Sequence, residues 1–399
     1  MEGKRKKLVS AFLMLVWLCI SKSSFSQIIT LDTAIAAALS GYPSLLQSQT
    51  QLLQQQQSKK SSFAIPNPEI GIEIPAYDFS WSISQNLEFP LVYFNQAKLG
   101  KANVELAQQN LILNEIELRY RVATAFLQLQ YTHSQMTELK KQDSLFLTLS
   151  NAGDRRSEAG EIGLLEKLNA NNAYQNKHNL WLQSQADFET AQKQLLLFTG
   201  MAISNPYPAG GLVKFAVPPA ALTDSSAPVT NPFSGIAIKN SMVAQRNWNL
   251  EKSKALPGIF GTYLSDNGNS SLTPTRLDVG ITLPLWFWQY AARMKSAKYQ
   301  WKSAGYQMQA TALEVNSQWQ QALGELKKFS SSLNYYETSA IPQANKIIDA
   351  SNRSYNAGEI GYVELLQNLN TAFQTSLDYL NAVKDFNQAI IQIHKLSGQ

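Results

Sequence analysis

The residues that could bind a metal or catalyse a reaction are few and scattered along this sequence. The three histidines, His133, His178 and His394, are far apart, and none has the spacing of a metal ligand set. The sequence contains no phosphate-binding loop, nucleophile motif or Cys/His cluster. It therefore predicts no enzyme, no metal site and no cofactor. A hydrolase on a helical frame is the alternative that the missing catalytic constellation argues against.

Two glutamates stand in a repeated context. The pentapeptide Ala-Gly-Glu-Ile-Gly occupies 159–163 and again 357–361, and Glu166 and Glu364 each lie three residues beyond it. Glycine suits the end of a helix, because it adopts positive φ without a steric cost. A glutamate one turn into the next helix can simply face solvent.

The first 26 residues are typical of a secretion signal. A basic stretch precedes an apolar run over 8–20, and the small residues Ser24 and Ser26 precede Gln27. The run is too short to span a bilayer comfortably. We expect cleavage before Gln27, with an uncleaved anchor as the alternative.

Removal of this segment changes the charge of the chain. The full sequence has 34 basic and 29 acidic residues, and residues 1–26 hold five of the basic and one of the acidic ones. The mature chain thus has 29 basic and 28 acidic residues, which removes the support for nucleic-acid binding. Cys19, the single cysteine, leaves with the signal, so no disulfide is expected.

Helical and strand patterns follow each other in the same order twice. The first series predicts a helix over 28–60, a hairpin with strands near 70–74 and 79–89, a long helix over 95–150 and a return helix over 164–198. The second predicts a helix over 233–255, strands near 259–264 and 277–285, a long helix over 290–356 that bends at Pro342, and a last helix to Leu396. This order predicts a tandem duplication, divided into a signal peptide (1–26), a first repeat (27–200), a proline-rich linker (201–232) and a second repeat (233–399).

The strands have the pattern of a membrane wall. Apolar and polar residues alternate, and each strand approaches the roughly 9–11 residues that cross a bilayer at a tilt. Aromatic residues at the strand ends would form an interfacial girdle: Tyr77, Trp81, Phe89, Tyr93, Trp286 and Trp288. A small soluble sheet with one buried face is the alternative. Four strands cannot close a barrel, so several chains must share one, and three copies would supply twelve strands.

Five segments resemble the outer-membrane efflux protein family, the TolC-like exit ducts. They are "LDTAIAAALSGYPSLL" (31–46), "PNPEIGIEIP" (66–75), "SISQNLEFP" (82–90), "DVGITLPLWF" (278–287) and "YNAGEIGYVELLQNLN" (355–370). Tyr42 stands where the family commonly has Asn before Pro43. The stretch over 84–88 is similar to the cation and heavy-metal efflux branch, although Leu91-Val92-Tyr93 replaces the Gly-Lys-Arg continuation of that branch.

The resemblance implies a mainly α fold with a small membrane β portion. Long antiparallel helical hairpins would form a trimeric α-barrel that extends into the periplasm, and each chain would add four strands to a shared 12-stranded barrel in the outer membrane. The homotrimer would be a passive exit duct for small solutes, working with a periplasmic adaptor and an inner-membrane pump of the RND or ABC type. A duct for type I protein secretion is the nearest alternative, and a non-pore periplasmic coiled-coil scaffold is a further one.

The resemblance also implies roles for the repeated turns. Gly160, Glu161, Gly163, Gly358, Glu359 and Gly361 would form the periplasmic tips that contact the adaptor. Glu364 matches an acidic position that lines the tunnel constriction, and Glu166 is its counterpart. The family's second acidic residue is Gln367 here, which implies a weaker ring of charge.

Overall fold

The computed structural model describes residues 28–73, 80–200, 207–208, 210–219, 221, 231–265 and 276–398. The predicted signal peptide, most of the predicted linker and the tips of both β-hairpins lie outside these ranges. The described elements occur in the predicted order.

Eight helices and six strands are described. The helices are α1 (Leu31–Gly41), α2 (Pro43–Lys60), α3 (Pro90–Glu158), α4 (Leu164–Thr199), α5 (Pro232–Ser253), α6 (Phe287–Tyr335), α7 (Ile341–Asn356) and α8 (Tyr362–Ser397). The strands are β1 (Ile28–Ile29), β2 (Glu69–Glu73), β3 (Ser80–Leu87), β4 (Tyr207–Pro208), β5 (Gly258–Ser265) and β6 (Arg276–Thr282).

The first predicted helix is two helices, separated at Tyr42. Tyr42 has an extended backbone (ψ 125°), because the ring of Pro43 disfavours a helical conformation at the residue before it. Helix α1 begins with a capping box. Thr30 is the cap, and its side chain and that of Thr33 each accept a hydrogen bond from the other's backbone N–H.

Just before Pro342, where the sequence predicts a bend, the helix contains a π-helical turn. Residues Tyr336–Ala340 form this wider turn between α6 and α7. A proline lacks the N–H that would bond to the residue four positions earlier, and its ring collides with that residue's carbonyl. That residue is Thr338, which lies within the wider turn, and π-turns are a common way to absorb such a mismatch.

One compact unit combines the described residues of segments 28–42, 121–215 and 328–388. It contains an apolar cluster that consists of Phe146, Ala170, Tyr362, Leu365, Leu366, Leu369 and Phe373. The extended segment around Val213 is held by Asn387, a fully buried residue of α8. The Asn387 amide oxygen accepts from the backbone N–H of Phe215 at 2.8 Å, and its nitrogen donates to the Val213 carbonyl at 2.7 Å.

The other compact unit combines the described residues of segments 43–120, 216–327 and 389–398, and contains the four-stranded sheet. Asn231 caps α5, because its side-chain oxygen accepts from the backbone N–H groups of Phe233 and Ser234. The same side chain donates to the Leu396 carbonyl at 2.8 Å. Lys239 and Glu105 form an ion pair at 2.8 Å, which lowers the pKa of Glu105.

Candidate functional site

The four-stranded sheet is the first candidate site. Its strands run in the order β2-β3-β5-β6, and all neighbours are antiparallel. The register places Ile70, Ile83, Tyr263 and Leu277 in one row across all four strands. Because side chains alternate along a strand, this register sorts the residues of every strand onto two faces.

One face of the sheet is apolar and uncovered. Ile70 is 71% exposed, Ile72 62%, Val279 70% and Ile281 63%. Exposed apolar surface on this scale marks a site of interaction with another protein or with a membrane. The alternative of a soluble sheet requires this face to be buried within the chain, and it is not.

The opposite face is mostly polar. Ser82, Ser84 and Thr262 lie on it, and Arg276 and Asp278 form an ion pair there at 2.9 Å. Phe260 is an exception: its ring lies so close to Gly280 that a Cβ on this glycine would meet it at 2.3 Å. The Phe260 ring therefore covers Gly280 and would have to shift if a larger residue replaced this glycine.

The structure places the proposed girdle residues in different settings. Trp286 and Trp288 are 65% and 58% exposed, with ring centroids 5.2 Å apart. Phe89 is 39% exposed, and Trp81 is half-buried against Tyr263 at 5.2 Å. Tyr77 lies outside the described residues.

Tyr93 differs from the other described aromatic residues of the girdle. It is only 7% exposed, and its hydroxyl accepts a hydrogen bond from the backbone N–H of Glu88 at 3.0 Å. In the chain as described, this side chain thus supports the junction between β3 and α3. The alternating pattern could not distinguish this role, because Tyr93 lies in the first turn of a helix.

The repeated pentapeptides form the second candidate site, and we call them the first turn (159–163) and the second turn (357–361). In the first, the N–H of Gly160 bonds to the Ser157 carbonyl and that of Glu161 to the Arg156 carbonyl. In the second, Gly358 bonds to Tyr355 and Glu359 to Ser354 in the same way. This pair of bonds is a Schellman motif, with glycine in the left-handed conformation at φ 75° and 76°. Gly163 and Gly361 follow without positive φ.

The glutamate of each turn is held by a different partner. Glu161 accepts from the Arg156 guanidinium at 3.0 Å, and Glu359 accepts from the Ser354 hydroxyl at 2.8 Å. Arg156 also donates to the hydroxyl of Tyr355. Sequence patterns missed this link between the two turns, because nothing local connects residues so far apart in the chain.

The constriction candidates lie beyond these turns. Glu364 and Gln367 are exposed in the first two turns of α8, and Glu166 is half-buried in the first turn of α4. Tyr362, the first residue of α8, is buried in the apolar cluster around Phe146. Its burial raises the pKa of its hydroxyl, as do the nearby Tyr355 and Glu166.

The described part of the chain has neither a membrane-spanning helix nor a cluster of metal ligands. Within the described ranges, none of the helices combines the length and the apolar character needed to cross a bilayer. Across the same residues, no group of three or more His, Cys, Asp or Glu side chains is arranged to hold a metal ion.

Known proteins resemble this chain in part of its sequence and in its fold. Residues 237–399 match the family model described as outer membrane efflux protein. No curated protein sequence gives a significant match.

Three solved structures illustrate the likeness in fold. The Campylobacter jejuni CmeC outer membrane channel superposes with a TM-score of 0.79 at 14% identity, covering 92% of this chain and 85% of that one. The Vibrio cholerae outer membrane protein VceC gives 0.76 at 14% identity, with 92% and 96% coverage. The Neisseria gonorrhoeae MtrE outer membrane channel, in its open state, gives 0.75 at 14% identity, with 92% and 88% coverage.

Proposed function

Because residues 237–399 match the family model described as outer membrane efflux protein, we propose that the chain is the passive exit duct of a tripartite efflux system. The protein is located in the outer membrane and is not an enzyme. Small solutes would pass through it from an inner-membrane pump, of the RND or ABC type, and a periplasmic adaptor. The observation that carries this proposal is the four-stranded sheet, with one uncovered apolar face and one polar face.

The sheet supports a shared barrel. Strands β2 and β6 are its two edges, and an edge with unpaired backbone groups is not tolerated in lipid. Pairing of β6 of one copy with β2 of the next satisfies both edges. Three copies would close a twelve-stranded barrel, with the apolar face toward lipid and the polar face toward water.

Two helices joined to the edge strands support the same assembly. In α6, which follows β6, Tyr299, Tyr306 and Leu313 are 57%, 70% and 75% exposed. They recur every seven residues, as in a coiled-coil seam. In α2, which precedes β2, Leu46 and Leu53 repeat the spacing at 46% and 58% exposure. The two stripes would pack against each other between neighbouring copies of the homotrimer.

The two turns would be the periplasmic tips. Adaptor contact is assigned to Gly160, Glu161 and Gly163 in the first turn and to Gly358, Glu359 and Gly361 in the second. The constriction is assigned to Glu166, Glu364 and Gln367. Support comes from the matching hydrogen bonds of the turns and from the exposure of Glu364 and Gln367.

One pair of variants tests the membrane assignment. Val279→Arg places a charge on the apolar face and Thr262→Arg places it on the polar face. We expect V279R to lose outer-membrane assembly, because a lipid-facing Arg near the bilayer centre costs about 2–4 kcal/mol, whereas T262R should assemble as trimers. Equal assembly of both variants would favour a non-pore scaffold and overturn the duct.

Cargo is tested in the cell. The stretch over 84–88 supports metal cations as cargo, and we expect deletion of the gene to sensitise cells to graded zinc, cobalt, nickel or copper. Complementation should restore growth. Sensitivity to dyes and detergents alone would replace metals by organic compounds as cargo. Loss of a secreted protein would favour type I secretion.

A further inference from the structure

Basic residues are concentrated where the helices join the four-stranded sheet. Because neighbouring strands are antiparallel, α2, α3, α5 and α6 all meet the sheet at the same end. The segments nearest that end are 46–60, 90–104, 240–254 and 287–301, and together they hold ten basic residues and one acidic residue. Residues 27–399 hold 29 basic and 28 acidic residues in all. We call the ten basic residues of these four segments the basic collar.

Contacts between α5 and α6 bring some of these charges together. The indole rings of Trp248 in α5 and Trp301 in α6 stack with their centroids 5.0 Å apart. Lys252 and Lys298, one from each helix, lie over the Trp248 ring with Nζ 4.0 and 6.0 Å from its centroid. Both lysines are exposed, so two ammonium groups from different helices converge on one aromatic ring.

The adjoining parts of α2 and α3 form a second cluster of charge. Gly100 of α3 packs against the end of α2, because a Cβ on this glycine would lie 3.4 Å from the Cα of Lys59. Lys60 follows Lys59 in the sequence, and Lys98 and Lys101 lie on either side of Gly100. All four lysines are exposed. The collar therefore contains two places at which lysines of neighbouring helices are close to each other.

The charge of the collar is not neutralised within the chain. Among the described residues, the one ion pair that involves the collar joins Lys254 to Glu251 at 2.8 Å. Glu251 is also the one acidic residue of the four segments. The collar thus presents an excess of positive charge to the molecule that lies against it.

A second copy of this chain would not supply the missing anions. If α2 and α6 pack between copies through their exposed stripes, segments 43–68 and 279–313 meet, and neither contains a carboxylate. The seven-residue spacing of Leu46 and Leu53 continues to Lys60. Contact between copies would therefore add positive charge at the sheet end of the stripes, and like charges repel each other.

Along the helices, the chemistry changes in the order in which a bilayer changes. In α6, Lys295 lies seven residues beyond Trp288 and Lys298 lies eleven beyond Phe287, so each lysine is on the same side of the helix as an exposed ring. Aromatic rings at the headgroup level, with basic side chains just outside them, suit the phosphates of lipids. Next to the sheet, the other helix junctions also expose apolar or aromatic residues: Phe63, Leu91, Phe94 and Leu285.

The collar is within reach of such phosphates. Arg293, Lys295 and Lys298 lie roughly 8, 11 and 15 Å beyond Trp288 along α6, at 1.5 Å per residue. Side chains tilt toward the N-terminus of a helix, and the N-terminus of α6 is its end at the sheet. Long basic side chains therefore extend back toward the sheet. The remaining gaps are comparable to the Debye length of about 8 Å.

We infer that the basic collar binds the phosphate groups of anionic phospholipids in the leaflet that faces the periplasm. These contacts would fix the depth at which the sheet lies in the bilayer. The inference rests on the proposed membrane location of the sheet, since it names the lipids that surround one end of it.

The test titrates the full-length trimer in detergent with phosphatidylglycerol or with phosphatidylcholine and counts bound lipids by native mass spectrometry. The unmodified trimer should bind phosphatidylglycerol about tenfold more tightly, and added salt should reduce this preference. The triple variant Arg293→Gln/Lys295→Gln/Lys298→Gln should lower the preference about fivefold or more, because one basic residue near an anionic surface contributes roughly a factor of five. Glutamine has nearly the helix propensity of lysine and arginine, so the helix is retained.

Two matched variants serve as controls. Lys140→Gln/Lys141→Gln/Lys346→Gln removes three exposed lysines of α3 and α7 that are remote in sequence from the sheet, and should keep the preference within about twofold. Arg293→Lys/Lys295→Arg/Lys298→Arg retains the charge and should keep the preference as well. If the triple glutamine variant does not assemble, Lys295→Gln and Lys298→Gln test the same surface singly, and each should lower the preference about threefold.

Each other outcome has a separate meaning. Equal binding of the two lipids, or an unchanged preference in the glutamine variants, overturns the lipid site while the duct stands. An equal loss in the control that lacks Lys140, Lys141 and Lys346 would assign the preference to net charge, and the inference fails. A changed ion selectivity in planar bilayers with an unchanged lipid preference would place the collar in the tunnel, against an anionic cargo. If the unmodified trimer forms no channels in planar bilayers, the proposed duct itself is wrong.

Discussion

Arg156 and Tyr355 are joined by a hydrogen bond from the guanidinium to the phenol oxygen, across 199 positions of sequence. The guanidinium carbon also lies 5.5 Å from the centroid of the Tyr355 ring, and its Nε binds Glu161. The bond to Glu161 and the nearby Tyr355 raise the pKa of Arg156. The first and second turns are therefore linked directly by side chains.

This link should stabilise both turns by a small, measurable amount. Arg156→Ala removes the hydrogen bond, the ion pair and the ring contact, and should lower the free energy of local opening by about 1 kcal/mol, since the arginine is partly exposed. Hydrogen exchange at the amides of 353–361 measures this opening. In a double-mutant cycle with Tyr355→Phe we expect a coupling of about 0.5 kcal/mol. Additive effects would show that the bond contributes nothing.

The two glycines of each turn should differ in how much their replacement by alanine lowers stability. Gly160→Ala and Gly358→Ala should each cost about 1–2 kcal/mol, because alanine is strained at φ 75° and 76°. Gly163→Ala and Gly361→Ala should be nearly neutral, since neither position has positive φ and a Cβ would meet nothing within 4 Å. Local opening by hydrogen exchange is again the measurement. A large loss at Gly163 or Gly361 would contradict this account.

Substitution of Asn231, the N-terminal cap of α5, should lower the stability of the folded chain. It is 1% exposed, and its side chain satisfies two backbone donors of α5 and the carbonyl of Leu396. Asn231→Ala should cost about 2 kcal/mol, seen as a lower apparent unfolding temperature in detergent. Asn231→Ser keeps a capping oxygen without a buried charge and loses the amide donor to Leu396, so its loss should be smaller. A loss as large as that of N231A would assign the stability to the bond with Leu396 alone.

Ion selectivity should follow the charge of the constriction if the proposed role is right. In planar bilayers, Glu364→Gln should lower the preference for cations over anions, and Gln367→Glu should raise it, because carboxylates that face a pore attract cations. Glu138→Gln, on α3 and remote in sequence from both turns, serves as the control. Unchanged selectivity in both Glu364→Gln and Gln367→Glu would place the constriction elsewhere.

His133 should make stability depend on pH. Burial lowers its pKa below 6.5, so the folded chain binds the proton less readily than the unfolded chain. The stabilisation is present above pH 6.5 and is lost as the pH falls through 6.5 toward the folded pKa. His133→Gln should flatten the unfolding profile in this window. A steeper profile in H133Q would reverse the assigned sign.

Much of the fold and of the family was accessible from the sequence. The alternation in 70–74, 79–89 and 277–285 predicted strands, the three- and four-residue periods predicted long helices, and the glycine pentapeptides predicted turns. Strands, helices and turns are present at these places in the described part of the chain. The resemblance to outer-membrane efflux proteins is confirmed by the family model over residues 237–399, and the location in the outer membrane is part of the proposed function. The duplication and the roles of the tip residues remain predictions.

The sequence by itself determined what depends on near neighbours in the chain: the period of each element, the φ that each turn glycine must adopt, and the face on which an apolar residue lies. Tertiary structure alone decided which of those faces is covered. Leu164 and Tyr362 follow the same five residues, yet one is exposed and the other buried, because Tyr362 packs into the cluster around Phe146 and Leu164 does not. The Arg156–Tyr355 bond and the burial of Tyr93 arise in the same way. Burial and long-range bonds depend on segments brought together by folding, and no local pattern records which segments those are.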